Sequence, residues 1–189
     1  MRRIVGKIFI IVGILILSTV IYTNYTVSQA NTKLVNQYKD DIKANQINKK
    51  NTDTEVLDDV VGILSIPKID LEVVVKEGTD QETLKSSVGH FKETSLPGEY
   101  GNFAVAGHRA YTTNKFFSNL DKLEIGDELS VLSKSEVHTY KVDSIEVVEP
   151  ENVEVIESVD KNKKEITLVT CTPKYVGSHR LVVKGKYIE

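Results

Sequence analysis

Cysteine is almost missing from this sequence: 189 residues hold one, Cys171, beside one methionine, no tryptophan and four prolines. A single thiol excludes an internal disulfide, and it excludes a cysteine-built zinc centre because His90, His108, His138 and His179 also lack ligand spacing. An excess of one charge is missing too. The formal net charge is −3, and no basic face interleaved with aromatics is present to follow a phosphate backbone, so nucleic acid is excluded as a partner. Internal repeats and low-complexity tracts are absent. What the chain does have is length for one ordinary domain and 40% apolar residues, enough to give that domain a core.

The N-terminus carries the one long apolar run. Arg2, Arg3 and Lys7 precede Ile8 to Tyr22, which only Ser18 and Thr19 interrupt with hydroxyls. Counted from Ile4 the run has 19 residues, close to the ~20 that cross the hydrocarbon core of a bilayer, with Lys7 near enough to its edge to snorkel. Positive charge flanks the leading end alone, which predicts a cytoplasmic N-terminus and an extracellular remainder. A cleaved signal peptide is the competing reading, but the small residues of Ser28-Gln29-Ala30 lie well beyond the apolar run. The expectation is an anchor over residues 1–22 in the cell membrane, followed by a polar stalk over 23–59, partly helical or disordered. Leu34, Tyr38 and Ile42 recur at four-residue intervals in the stalk, a stripe too sparse to predict a packed helix.

From Val60 the texture changes to short β-branched runs separated by turn residues. Candidate strands are Val60 to Ile66, Leu71 to Val75, Asn102 to Ala106, Glu128 to Leu132, Val137 to Val148, Ile166 to Thr170 and Arg180 to Tyr187, the longest with a bend. Short helices are predicted at Gln81 to Ser86 and Asn114 to Leu120. About eight strands without alternating long helices predict an all-β domain over residues 60–189, a closed or nearly closed eight-stranded β-barrel with one or two short helices.

The chemistry sits where strands end. Cys171 closes the apolar run Thr167-Leu168-Val169-Thr170, and a lone thiol there, with a histidine remote in sequence but able to approach in a folded barrel, is the arrangement a thiol nucleophile needs. An unpaired thiol on an extracellular chain points either to intermolecular pairing or to a reactive group. An inert, buried cysteine is the bland alternative, and context decides between them.

That context is fourfold. Thr167-Leu168-Val169-Thr170-Cys171-Thr172-Pro173 is followed by His179-Arg180-Leu181-Val182-Val183, and preceded by Leu96-Pro97-Gly98-Glu99-Tyr100-Gly101-Asn102 and Ala106-Gly107-His108-Arg109. In this order they resemble the sortases of Gram-positive bacteria, over about residues 60 to 188. The compact chain looks most like class D, with a class A-like enzyme as the neighbouring reading. It has no Asp-Pro-aromatic lid segment and no second hydrophobic helix, which the pilus-polymerising class has.

The resemblance implies a membrane-anchored transpeptidase. Such an enzyme cleaves an LPxTG-type signal between Thr and Gly through a thioacyl intermediate and transfers the protein to a cell-wall peptidoglycan precursor amine. Cys171 would be the nucleophile, His108 the acid and base, and Arg180 the holder of the substrate backbone or the developing oxyanion. If the strands bearing Cys171 and Arg180 are antiparallel neighbours, the two residues lie side by side. The Thr170 hydroxyl is a further candidate contact. Family members hold the Leu-Pro part of the signal on the connection from Glu149 to Lys164, where Val153, Val155, Ile156 and Val159 offer apolar surface.

No cofactor and no metal is expected. Some family members bind calcium through loop carboxylates, and Glu93, Glu99, Glu151 and Glu154 are the acids at hand, but scattered acids usually solubilise. His90 and His138 read as surface or rim residues, and His179 as structural because alternation turns it from the face of Arg180. Two other functions remain open: a hydrolytic cysteine peptidase using the same residues, and a non-catalytic extracellular peptide-binding barrel.

Overall fold

The computed structural model of the chain describes residues 2–46, 59–109, 116–134, 136–158 and 160–188. Helix α1 (Arg2–Gln46) is followed by eight strands: β1 (Val60–Ile66), β2 (Leu71–Glu77), β3 (Val88–His90), β4 (Gly101–Ala106), β5 (Glu128–Ser133), β6 (Glu136–Val148), β7 (Lys164–Thr172) and β8 (His179–Tyr187). They close into a barrel in the order β1-β2-β3-β4-β7-β8-β6-β5. Pairs β2–β3 and β4–β7 are parallel, and the other pairs are antiparallel.

Closure follows from the side-chain period of two. Phe103 and Val105 of β4, Ile166 and Leu168 of β7, and Leu181 and Val183 of β8 join one buried cluster with Leu64, Val73, Val131 and Tyr140. Their sequence neighbours therefore face outward. The long β6 bends where its register on β8 shifts between Val142 and Ser144, as its length predicts. Tyr140 lies wholly inside, and burial raises its phenol to about 12; the Gly98 N–H, which donates to the phenol oxygen at 2.8 Å, acts in the opposite direction.

Strand β3 is absent from the sequence reading. It has three residues, Val88–His90, and too little pattern to stand out, yet it pairs with both β2 and β4 and closes the wall between them. The short helix α2 (Gln81–Ser86) feeds it. Asp80 caps α2 by accepting from the Glu82 and Thr83 N–H groups, and the hydrogen bond from Thr83 chiefly holds its carboxyl below the ordinary value. The helix predicted at Asn114 to Leu120 falls partly on residues outside those described; Phe116 forms a bridge with Arg109, and a 3-10 turn occupies Leu120–Lys122.

Helix α1 crosses the expected boundary between anchor and stalk without a break. Its distal part packs on the barrel. Val35 and Tyr38 are buried against Ile63 and Val74, with Leu34 and Ile42 beside them, and Asn31 donates to the Glu72 carbonyl at 2.9 Å. The sparse stripe of Leu34, Tyr38 and Ile42 is thus a docking seam, its missing apolar surface supplied by the outer faces of β1 and β2. Residues 47–58 of the expected stalk lie outside those described. The proximal part of α1 presents Ile8, Phe9, Ile11, Leu15 and Ile21 as exposed side chains. Among the described residues no helix is long and apolar enough to cross a membrane.

Candidate functional site

The candidate residues come from three places and meet through strand register. Cys171, near the end of β7, is the direct partner of Arg180 on β8, and directly opposed residues share a face. On the other side of β7 runs β4, in parallel, with Ala106 opposite Val169. The ladder continues one step: the Gly107 N–H donates to the Val169 carbonyl at 3.1 Å. Two positions past Ala106 and Val169 stand His108 and Cys171, so the same register sets them level. Alternation puts all three outward, because Val105, Leu168 and Leu181 in the same strands point into the core.

Exposure agrees. His108 is exposed, and Cys171 and Arg180 are half-buried. Gly177 of the β7–β8 connection folds over Cys171, and a Cβ on it would lie 3.6 Å from that of the cysteine. The Arg180 guanidinium donates through Nη1 to the carbonyls of Gly177 and His179, at 3.1 and 3.0 Å, which braces this connection. Thr172–Pro173 is a cis peptide.

Thr170 takes a different role from the one expected. It is buried and points to the core side, with its hydroxyl donating to the Gly107 carbonyl at 2.7 Å. It clamps β7 to the exit of β4 and does not face the groove. The hydroxyl next in sequence to Cys171 looks like a substrate contact only until alternation turns it inward.

The apolar residues of the β6–β7 connection divide in the same manner. They sit on a 3-10 turn, Val153–Ile156, where Val155 is buried and so removed from any ligand. Val153 and Ile156 line a cleft of about 590 Å³ together with Tyr100, Asn102, Glu157 and Lys161. Asn102 fastens this wall: its amide donates to the Ile156 carbonyl at 2.7 Å and accepts from the Thr167 hydroxyl at 3.0 Å. Asn102 pairs with Glu165, six residues before Cys171, so the cleft opens about 20 Å from the thiol along the outer face of β4 and β7. Val159 lies outside the described residues.

Among the described residues no group of three or more His, Cys, Asp or Glu side chains is arranged to hold a metal. Of the acids named for calcium, Glu93 lines the cleft and Glu99 accepts from the Leu96 N–H. His90 is not a surface residue. It is buried between the Glu77 carboxylate at 3.1 Å and the Ser95 carbonyl at 3.1 Å, against the Phe103 ring, and it pins the β3–β4 connection. His179 keeps its structural place through Glu149 at 3.2 Å and the Ser178 hydroxyl at 2.8 Å.

Two neighbours of His108 in the Ala-Gly-His-Arg motif, Gly107 and Arg109, make close contacts that the sequence reading does not anticipate. Arg109 is buried and is taken up below. Gly107 is packed so closely that an added Cβ would lie 2.6 Å from Cδ2 of the buried Phe117 ring and 2.9 Å from Val88. Gly107→Ala should therefore destabilise the domain by about 1–3 kcal/mol in denaturant unfolding, the usual cost of overpacking, and displace His108 with it.

The chain is thus an eight-stranded barrel with Cys171 and Arg180 paired on adjacent strands and an exposed His108 beyond the end of a third. The comparisons with known proteins specify it. The sortase domain matches residues 64–188, and the chain belongs to the sortase family. It is 33% identical to sortase SrtE1 of Streptomyces coelicolor over 99% of this chain and 57% of that protein. It is 35% identical to sortase D of Bacillus subtilis over 67% of this chain and 63% of that protein. The chain thus spans about three fifths of these curated relatives. Among solved structures, a Clostridium perfringens sortase D5 transpeptidase superposes with a TM-score of 0.70 at 30% identity, covering 85% of this chain and 99% of that one. A pilus-related sortase C of group B Streptococcus superposes at 0.66 and 36% identity, covering 70% of this chain and 69% of that one.

Proposed function

We propose that the protein is a cysteine transpeptidase that cuts an LPxTG-type sorting signal between Thr and Gly and passes the acyl group to an amine of the cell wall. The observation that supports this reading is the register around β7, which pairs Cys171 with Arg180 of β8 and, two residues before His108, pairs Ala106 of β4 with Val169.

The chemistry follows from the groups. His108 takes the Cys171 proton, and the thiolate sulfur attacks the Thr carbonyl carbon, whose oxygen collects the charge. Arg180 stabilises that oxygen with a fixed positive fork. The imidazolium returns its proton to the departing Gly amine as the C–N bond breaks, leaving a thioester on sulfur. An acceptor amine then attacks the thioester, His108 removes the amine's extra proton, the new amide forms and the Cys171 thiolate leaves. The net result is exchange of one amine for another, with no oxidant and no hydrolysis.

The Leu-Pro part of the signal, within about 10 Å of the Thr carbonyl, lies along the outer face of β4 and β7, and the cleft that Val153 and Ile156 line is placed to take residues preceding it. The class D reading is supported by the sortase D5 structure, which this chain covers almost end to end. The protein sits in the cell membrane as a single pass. This reading rests on the sequence, in which Arg2 and Arg3 lead the apolar run from Ile4 to Tyr22: the run would lie in the bilayer with the N-terminus cytoplasmic and the barrel outside. Helix α1 docks on β1 and β2, across the barrel from β7, which supports a reading in which the thiol side is left clear of the anchor.

A peptide-library assay on the full chain, with and without a soluble amine, tests the function. Cleavage after Thr of LPxTG-type peptides, with an amide product when amine is supplied, is the expected result. Free acid regardless of amine would mean a hydrolytic peptidase, and binding without cleavage a peptide-binding barrel.

A further inference from the structure

Arg109 follows His108, but alternation sends its side chain to the side opposite the catalytic face, where only 8% of the residue is exposed. There the guanidinium bridges two parts of the barrel. Nη2 pairs with the Asp121 carboxylate at 2.8 Å, on the 3-10 turn Leu120–Lys122. Nη1 donates to the Thr172 hydroxyl at 2.8 Å and makes a longer contact of 3.4 Å with the carbonyl of Cys171 itself. The Nε–H is buried with no hydrogen-bond partner among the described residues.

Stability alone is a poor reason to keep such a group. Burying a guanidinium costs several kcal/mol, and a buried ion pair often returns less than an apolar replacement of similar size. What the placement supplies is geometry. Register aligns His108 with Cys171 only to within the slack of a chain that has already left the strand at Ala106. Arg109 removes that slack, since one rigid fork grips the nucleophile's own peptide unit and the hydroxyl after it while belonging to the residue next to the base.

We propose that Arg109 is a positioning residue: held by Asp121, it fixes the peptide unit of Cys171 and Thr172 relative to His108 and so sets the distance between sulfur and imidazole. The proposal rests on Cys171 being the nucleophile. Lysine cannot replace the fork, because its single ammonium cannot serve a carboxylate on one side and a hydroxyl and a carbonyl on the other with the same geometry.

The test uses the full chain purified in detergent, with Arg109→Lys, Arg109→Gln and Thr172→Val. Thr172→Val removes one contact without burying a new charge, so it remains informative if an Arg109 variant fails to fold. Three quantities are read: the unfolding temperature, kcat and KM for an LPxTG-type peptide, and the rate at which iodoacetamide alkylates Cys171, the only thiol in the chain. A small displacement of reacting groups costs up to about a hundredfold. Folded variants are expected to lose roughly ten- to a hundredfold in kcat with KM little changed and to alkylate more slowly, with Arg109→Lys better than Arg109→Gln.

Wild-type kcat and alkylation in folded variants would overturn the proposal, as would losses that simply track the unfolding temperature. Slowed alkylation in variants of a protein that cleaves no peptide would support the positioning role and remove the transpeptidase reading instead.

Discussion

Cys171→Ala should abolish peptide cleavage, lowering kcat by roughly four orders of magnitude or more while the barrel stays folded. The size of the effect comes from the absence of a substitute: the chain has no second thiol, and without sulfur no covalent intermediate divides the reaction into two easier steps. Folding should tolerate the change because Cys171 is only half-buried on the outer face and belongs to no buried cluster. His108→Ala should approach the same loss, since sulfur and imidazole act as a unit and their single losses do not add. Cleavage of a quenched LPxTG-type peptide, followed beside the unfolding temperature, measures both. Near-normal turnover in a folded Cys171→Ala protein would leave the mechanism without its nucleophile.

Arg180→Lys carries the second large effect. The charge remains, so a purely electrostatic role predicts a mild change. The geometry predicts a severe one. Arg180 already uses Nη1 to brace the carbonyls of Gly177 and His179, and Gly177 covers Cys171. Only a planar fork can brace that connection with one nitrogen and present donors to the substrate with the others. Loss of a preorganised oxyanion donor typically costs a hundred- to a thousandfold, and about that decrease in kcat is expected for the lysine variant. Activity within a few-fold of wild type would show that charge suffices and that the fork has no separate part in the reaction.

The legible parts of this protein were those in which a period or a motif repeats a physical constraint. Short β-branched runs such as Glu128 to Leu132 and Arg180 to Tyr187, with turn residues between them, announced the barrel, because such runs suit a pleated, buried surface. The neighbouring placement of β7 and β8 followed from their short connection, and with it the pairing of Cys171 and Arg180.

What stayed hidden depends on partners far away in the chain. Strand β3 is three residues long and exists because β2 and β4 flank it. The docking of α1 needs the outer faces of β1 and β2, which a sparse stripe of Leu34, Tyr38 and Ile42 does not reveal. His90 seemed a spare histidine until Glu77 and Ser95 were found on either side of its ring. Thr170 and Val155 stand beside candidate site residues in sequence, and alternation or the turn of a 3-10 segment faces them inward. Arg109 was in plain view inside a quoted motif, but its work is done through Thr172 and Asp121, which no local pattern joins to it.

The claim on which the account depends is that the sulfur of Cys171 carries the acyl group between donor and acceptor. Intact-mass measurement of the full chain after brief exposure to an LPxTG-type peptide tests it most directly. The account predicts an added mass equal to the peptide up to its Thr, located on Cys171, discharged by an amine and absent from Cys171→Ala. Peptide product formed with no such adduct, or with the adduct on another residue, would contradict it.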